Sequence, residues 1–343
     1  MRMAELYLMG GRTLNDRTIG LLSHYEMEVL RTRKGRGSIL CETKTGLYTF
    51  REYGGPIEKI DLQNRLLTHL KEQEFEQTEQ IVATKEGELF VKDTDGTCYV
   101  LKSFFEGREC TVTDTEDCIG GVRFLAKLHS HMCIPDFEGL AEMPIISLQK
   151  EYDKHNRELR RVRKYLREKS QKNAFELYLQ REYDFFWEKA MEIAAQVAEF
   201  YQPQDEQYVR QEGMFCHGDF QHHNLIWMQD GSYAINFEKC VLDDQVRDLY
   251  LFMRKVLEKN GWSLELGKRM LDAYQEIRPL SARSYISLYY RLAYPEKFWK
   301  IANFYINSGK AWIPDKNAEK LTGILEQENA KTMFLEEAFS ISM

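Results

Sequence analysis

Proline is scarce in this chain, with 7 in 343 residues, and no repeat or low-complexity stretch interrupts it. Little of the sequence therefore reads as linker. The seven cysteines (41, 98, 110, 118, 133, 216 and 240) contain no Cys-x-x-Cys pair. An odd, scattered set argues against a disulfide frame or a zinc site and for free thiols in a reducing compartment. No apolar run approaches the length that spans a bilayer. Residues 1–17 carry short apolar patches but neither an apolar signal core nor a cleavage site, so cytoplasmic synthesis is expected. A basic excess is also missing. The net charge is -7, which argues against a general nucleic-acid binder. What is present is ordinary for a globular protein: 43% hydrophobic and 29% charged residues. The length suits one bilobed domain or two ordinary ones.

The first hundred residues read as short antiparallel strands and one helix. Strand patterns at Ser38–Thr43 and Leu47–Tyr53 flank a turn at Lys44-Thr45-Gly46. Leu62, Leu66, Leu67 and Leu70 recur at helical spacing and predict a helix over 58–73. Further strands are expected at Gln80–Thr84, Leu89–Lys92 and Thr97–Phe105. From about 115 the pattern is helical. Val122, Leu125, Ala126, Leu128 and His129 mark one helix. Residues 150–172 hold ten Lys/Arg against four Asp/Glu, with a narrow apolar stripe at Leu159, Val162 and Leu166. The 183–201 stretch keeps helical apolar spacing for five turns. Later helices are expected near 245–259, 264–276, 284–293, 296–307 and 316–338. The aromatic-rich 285–312 region reads as core.

The densest information lies at 217–238. His217-Gly218-Asp219-Phe220-Gln221-His222-His223-Asn224 is followed by Asn236-Phe237-Glu238. Short strands at Met214–Cys216 and Tyr233–Ile235 would bring Asp219, Asn224 and position 236 to strand ends facing one cleft. Phosphoryl transfer needs few reacting groups and much positioning of charge. Asp219 would orient or deprotonate an acceptor hydroxyl, and Asn224 would offer a carbonyl oxygen to Mg²⁺. Position 236 ordinarily supplies a carboxylate to the metal and here holds Asn. Its loss removes one full charge from a hard-cation site. Glu238 would share a face with position 236 in an extended segment and so substitute for it in part. His217, His222 and His223 lack the helical spacing of a zinc site.

A small lobe of this kind supplies a cation to the nucleotide phosphates from its third strand, and Arg51 holds that slot. Arg keeps the charge but not the shape of a Lys site. Gly35-Arg36-Gly37 lies where a phosphate-covering loop belongs, and a plain hairpin turn explains it equally well. The 58–73 helix would offer a Glu to the strand cation, yet its middle holds Gln63 and Asn64.

His217-Gly-Asp-x-x-x-x-Asn224, the Asn236-Phe-Glu238 slot and Leu125-Ala-x-Leu-His129 resemble the aminoglycoside phosphotransferase and choline kinase superfamily. Within it, the chain is most similar to the CotS-like family of bacterial spore coat proteins. Arg36-Gly37 with Tyr53-Gly54-Gly55, Tyr99–Cys110, Val246-Arg-Asp-Leu249 and above all Arg291–Asn303 carry that likeness. The resemblance implies an α+β, bilobed, protein-kinase-like fold: an antiparallel-sheet lobe at 1–105 with one helix, and a mostly helical lobe at 106–343. It implies Asp219 as catalytic base, Asn224, Asn236 and Glu238 at the metal, and Arg51, Gly35, Gly37 and Lys102 at the nucleotide. His217 and Asp248 would brace the loop. ATP and Mg²⁺ are the implied cofactors, or none if the site is degenerate. Synthesis in the mother cell, a place in the spore coat and other coat proteins as partners follow from the same likeness. The Asn at 236 and the Arg at 51 both weaken catalysis, so a pseudokinase with an assembly role is expected ahead of an active phosphotransferase. An aminoglycoside-resistance enzyme leaves the 291–303 segment unexplained. The basic 150–172 helix would be either a docking face for acidic coat partners or a plain solvated helix.

Overall fold

The computed structural model describes residues 16–35, 37–308 and 315–339. The chain divides into two compact units, 1–108 with 226–238, and 109–225 with 239–343. Residues 226–238 thus belong with the amino-terminal part, across the 105/106 boundary expected from sequence.

The first described element of the first unit is the short helix α1 (Asp16–Gly20). Its sheet contains β1 (Val29–Lys34), β2 (Ile39–Thr43), β3 (Gly46–Glu52), β4 (Val91–Lys92) and β5 (Cys98–Phe104). The strand order is β1-β2-β3-β5-β4, and the neighbours are antiparallel. Phe50 on β3 faces Leu101 on β5, and both are buried with Ile39, Cys41, Tyr25 and Leu22. Side chains alternate along a strand. Thr49 and Arg51 on β3, and Val100 and Lys102 on β5, therefore take the other face. Helix α2 (Glu58–Glu72) covers that face, with Ile60 packed among Tyr53 and Val100.

The strand expected over Gln80–Thr84 does not form in full. Ser103 N donates to Gln80 O and Val82 N to Leu101 O, and Ile81 bridges Lys102. Thr84 then leaves the sheet, because its amide closes a turn on Glu88 O. The expected 89–92 strand shrinks to β4 for a related reason: a second turn, closed by Asp93 N on Thr97 O, follows at once.

The second unit is mostly helical. Its elements start with α3 (Thr115–His131), α4 (Leu148–Glu168), α5 (Ala174–Phe200) and α6 (Pro203–Gln211). Then come α7 (Val246–Lys259), α8 (Leu264–Gln275), α9 (Ala282–Ala293), α10 (Glu296–Asn307) and α11 (Asp315–Phe339). Caps set several boundaries. Asp114 caps α3, Ser147 caps α4, and Asn173 with Glu176 forms a capping box on α5. Of the aromatic 285–312 region, residues 309–312 lie outside the described residues; Tyr289, Tyr294, Phe298 and Tyr305 are core, whereas Phe304 is exposed. Tyr294 stacks on Tyr152 at 3.9 Å, and Phe298 stacks on Phe186 at 4.5 Å.

The remaining strands are short. They are β6 (Arg108–Glu109), β7 (Phe215–Cys216), β8 (Leu225–Met228), β9 (Gly231–Ala234) and β10 (Val241–Leu242). β7 pairs antiparallel with β10, so the chain segments before His217 and after Cys240 run side by side. Among the described residues no helix is long and apolar enough to cross a membrane. Residues 1–15 lie outside the described residues, so the amino-terminal reading is not addressed by the structure.

Candidate functional site

The motif residues divide between the two units. Asp219, Asn224 and Asp248 belong to the second, and Arg51, Lys102, Asn236 and Glu238 to the first.

In the second unit, Asp248 organises the loop. This fully buried carboxylate accepts from His217 N at 2.6 Å and from Gly218 N at 2.9 Å. His129 Nε2 lies 3.3 Å from it, while His129 Nδ1 meets the Tyr274 hydroxyl at 2.8 Å. Burial works to raise the Asp248 pKa, but the His129 hydrogen bond and the Gly218 amide prevail and hold it below the ordinary value. Burial lowers the His129 pKa against the pull of Asp248, which favours a neutral imidazole. Asp248 thus accepts from two successive loop amides, and the buried His217 contributes through its amide and through Nδ1, which accepts from Asp219 N at 3.2 Å.

Gly218 is fixed by geometry. Its φ is +79°, and a Cβ there would stand 1.9 Å from the Lys239 carbonyl oxygen. Gly218→Ala is expected to cost about 2–4 kcal/mol, read as a shift in the denaturant midpoint at unchanged slope. An unchanged midpoint would mean that the loop does not need this close approach.

Asp219 is held at both oxygens. Lys239 Nζ lies 2.9 Å from Oδ2, and Gln221 Nε2 donates to Oδ1. Burial tends to raise its pKa, yet these two partners bring the pKa below the usual carboxylate range. Such a group is a weaker base than one tuned toward neutrality. Asn224 is buried, and its Nδ2 donates to Asp219 O at 2.8 Å, which locks the loop from within. His222 and His223 lie side by side with ring centroids 5.2 Å apart. Among the described residues no group of three His, Cys, Asp or Glu is placed to hold a metal.

The first unit holds a separate polar network. Arg51 Nη1 donates to Asn236 Oδ1 at 2.7 Å and lies 3.6 Å from Glu238 Oε1. Lys102 is fully buried, with Nζ 2.6 Å from Glu238 Oε1 and 3.0 Å from Glu79 Oε1. The same Glu79 oxygen accepts from Gln63 Nε2 at 3.1 Å and from Phe237 N at 2.9 Å. Burial pushes the Glu238 carboxyl up, but Lys102 and Arg51 prevail and hold it low. Two cations and two carboxylates are therefore matched inside one unit.

Two expectations change here. The resemblance puts Lys102 at the nucleotide, but its ammonium is buried between two carboxylates and shielded from solvent. Glu238 was offered as a substitute metal ligand on extended backbone. Asn236 instead has φ +69°, and Phe237–Lys239 form a 3₁₀ turn, so the shared-face argument fails. Asn is one of the few residues at home in that left-handed region. Gly35 and Gly37 serve a tight hairpin between β1 and β2, with Gly35 N bonded to Ser38 O at 2.8 Å and Gly37 at φ +69°.

A protein-family model described as "Spore coat putative kinase YutH" matches residues 19–338. The chain belongs to this family. Spore coat protein S of Bacillus subtilis strain 168 is 28% identical over 126 residues, spanning 36% of this chain and 36% of that protein. Among solved structures, an aminoglycoside phosphotransferase from Alicyclobacillus acidocaldarius has a TM-score of 0.79 at 17% identity, covering 98% of this chain and 97% of that one. A spectinomycin phosphotransferase, solved with ADP and spectinomycin, has a TM-score of 0.66 at 15% identity, covering 96% and 99%. The choline kinase LicA from Streptococcus pneumoniae has 0.51 at 13%, covering 93% and 97%. At these identities the likeness establishes the fold, which is that of kinase-like phosphotransferases.

Against that fold, this YutH-family chain does not fit a divalent cation at position 236. The Asn236 oxygen already receives the Arg51 guanidinium. A dication on the same oxygen would stand about 4 Å from that charge, a repulsion on the order of 8 kcal/mol at an effective dielectric near 20. Arg51 is 34% exposed, so screening reduces this to several kcal/mol. Glu238 is neutralised by Lys102 and offers little return. Glu79 and the pairing role of Gln63 escaped sequence reasoning. The buried amide at 63 suits a neighbour that is already a carboxylate, whereas a Glu there would face Glu79 as a like charge.

Proposed function

We propose that this YutH-family chain is a spore coat protein whose kinase-like fold serves as an assembly scaffold, with metal-dependent phosphotransfer lost. The observation that carries this reading is the Arg51–Asn236 contact. A side-chain cation occupies the place where the fold ordinarily presents a carboxylate to Mg²⁺. The buried Lys102–Glu79 pair supports it, since it consumes a second cation internally. Its partners are other spore coat proteins, and its location is the coat.

Asp219 favours a second reading, an ATP- and Mg²⁺-dependent phosphotransferase acting on a hydroxyl of a small molecule or a coat protein. Its loop keeps the residue types of a catalytic loop and is braced by Asp248. The variants separate the two. Asn236→Asp alone is expected to leave the protein unresponsive to Mg²⁺, because Arg51 pairs more tightly with a carboxylate. Arg51→Lys with Asn236→Asp is expected to restore Mg²⁺-dependent nucleotide binding, seen as stabilisation of about 2–3 kcal/mol at ligand near a hundred times Kd. If the double variant stays inert, the Arg51–Asn236 contact is not what closes the site.

A further inference from the structure

We propose that α4 is a self-association surface, whose solvent face on one copy docks on the acidic end of α2 on a second copy. This rests on charge distribution and does not depend on the reading of the polar network.

The charge is unevenly spread. Residues 150–172 carry ten of the 47 Lys/Arg and four of the 54 Asp/Glu, leaving 37 against 50 elsewhere. A strongly basic segment thus sits on an acidic body. Helix α4 buries Leu148, Tyr152, Leu159, Val162 and Leu166 and packs on α5 and α10. Its outward residues include Lys154, Arg157, Arg161, Lys164 and Arg167, all exposed. Positions 154, 157, 161 and 164 lie on one helix face, a stripe about 15 Å long. Lys164 is 3.8 Å from the exposed Glu168, and no carboxylate pairs with Lys154, Arg157, Arg161 or Arg167 among the described residues. Elsewhere on α4 the cations are engaged: Arg163 pairs with Asp184, and Arg160 lies over Trp187.

The complementary pole lies in the first unit. Glu72 ends α2, and Glu74 and Glu76 follow, all exposed. Glu74 has φ +60°, a left-handed conformation that non-glycine residues adopt at a cost. A helix C-terminus already carries partial negative charge, so acids there are locally unfavourable. Lys71 is the one cation in residues 71–80, and no ion pair reaches Glu72, Glu74 or Glu76 among the described residues. A basic stripe from another copy would relieve that repulsion. The two patches are different surfaces, so the contact is heterologous and propagates head to tail into chains or rings.

Sedimentation velocity tests this on the full chain. The wild type is expected to grow in size with concentration at about 0.01 M salt, where the Debye length is about 30 Å. It is expected to be monomeric at about 1 M, where that length is about 3 Å. Arg157→Glu with Arg161→Glu, and separately Glu74→Lys with Glu76→Lys, should each weaken association at least about tenfold. Unchanged circular dichroism and melting would show that both fold. Mixing the two variants is the sharpest arm. One retains the native acidic pole and the other the native basic stripe, so the mixture is expected to associate where neither variant does alone. A wild type that stays monomeric at low salt overturns the proposal, as does a charge-reversed variant that assembles normally or a mixture that does not pair. Binding to polyglutamate without self-association would also overturn it, by assigning α4 to a different acidic partner.

Discussion

Glu79→Ala is expected to destabilise the first unit by about 3–5 kcal/mol. Its Oε1 receives Lys102, Gln63 and the Phe237 amide, all at 2.9–3.1 Å. Removing it strips the fully buried ammonium of one of its two carboxylates and takes the Glu79 acceptor from the Phe237 amide. Lys102→Met should cost a comparable amount, for then Glu79 is the stranded charge. Combining Lys102→Met with Glu79→Leu should be milder than either change alone, since no buried charge is then left unpaired and only the Gln63 and Phe237 donors lose an acceptor. Glu238 is partly exposed and can hydrate once Lys102 has gone. Equilibrium unfolding in urea measures all three. A double variant as damaged as the sum of the singles would show that the two side chains stabilise the fold independently.

Asp248→Ala is expected to cost about 3–5 kcal/mol in the second unit, with the loop from His217 onward losing order. The His217 and Gly218 amides would lose their acceptor in a site that water does not reach. Asp248→Asn should lose less, because one amide oxygen still accepts. The same carboxylate sets a pH signature. Its pKa is depressed by folding, so its contribution is complete above the unfolded carboxylate value of about 4 and fades as pH falls through the folded value. Asp219 and Glu238 act in the same direction. His129 is depressed as well, which makes stability fall already as pH drops below about 6.5. Asp244 opposes this. Burial raises it to about 6, so the fold binds a proton there more readily than the unfolded chain does between about 4 and 6. Acid unfolding curves should therefore show two stages, and the Asp248→Ala curve should lose much of the lower one.

The elements were legible where their signals are local. The α2 leucines and the aromatic stripe of α9 and α10 each carry their period in neighbouring residues. β1 is harder to delimit because Arg31, Arg33 and Lys34 fill it with charge, which suits a strand at the sheet edge. The loop at 217–224 was readable because its spacing is fixed by one tight turn around Gly218. The Lys102–Glu79–Glu238 network was not. Its members are separated by 23 and 136 residues, and Glu79 comes from an irregular segment with no periodicity to announce it. Asn236 shows the same limit in another form. Its identity signals a missing charge, but only the backbone shows that the left-handed turn aims its oxygen at Arg51.

In the function proposed above, Arg51 on Asn236 stands where the fold would place a metal-binding carboxylate. The most direct test is the melting temperature of the wild-type protein with ATP, measured in excess Mg²⁺ and again in excess chelator. The same melting temperature is expected in both. A Mg²⁺-dependent rise of several degrees, accompanied by phosphoryl turnover that Asp219→Ala abolishes, would contradict it.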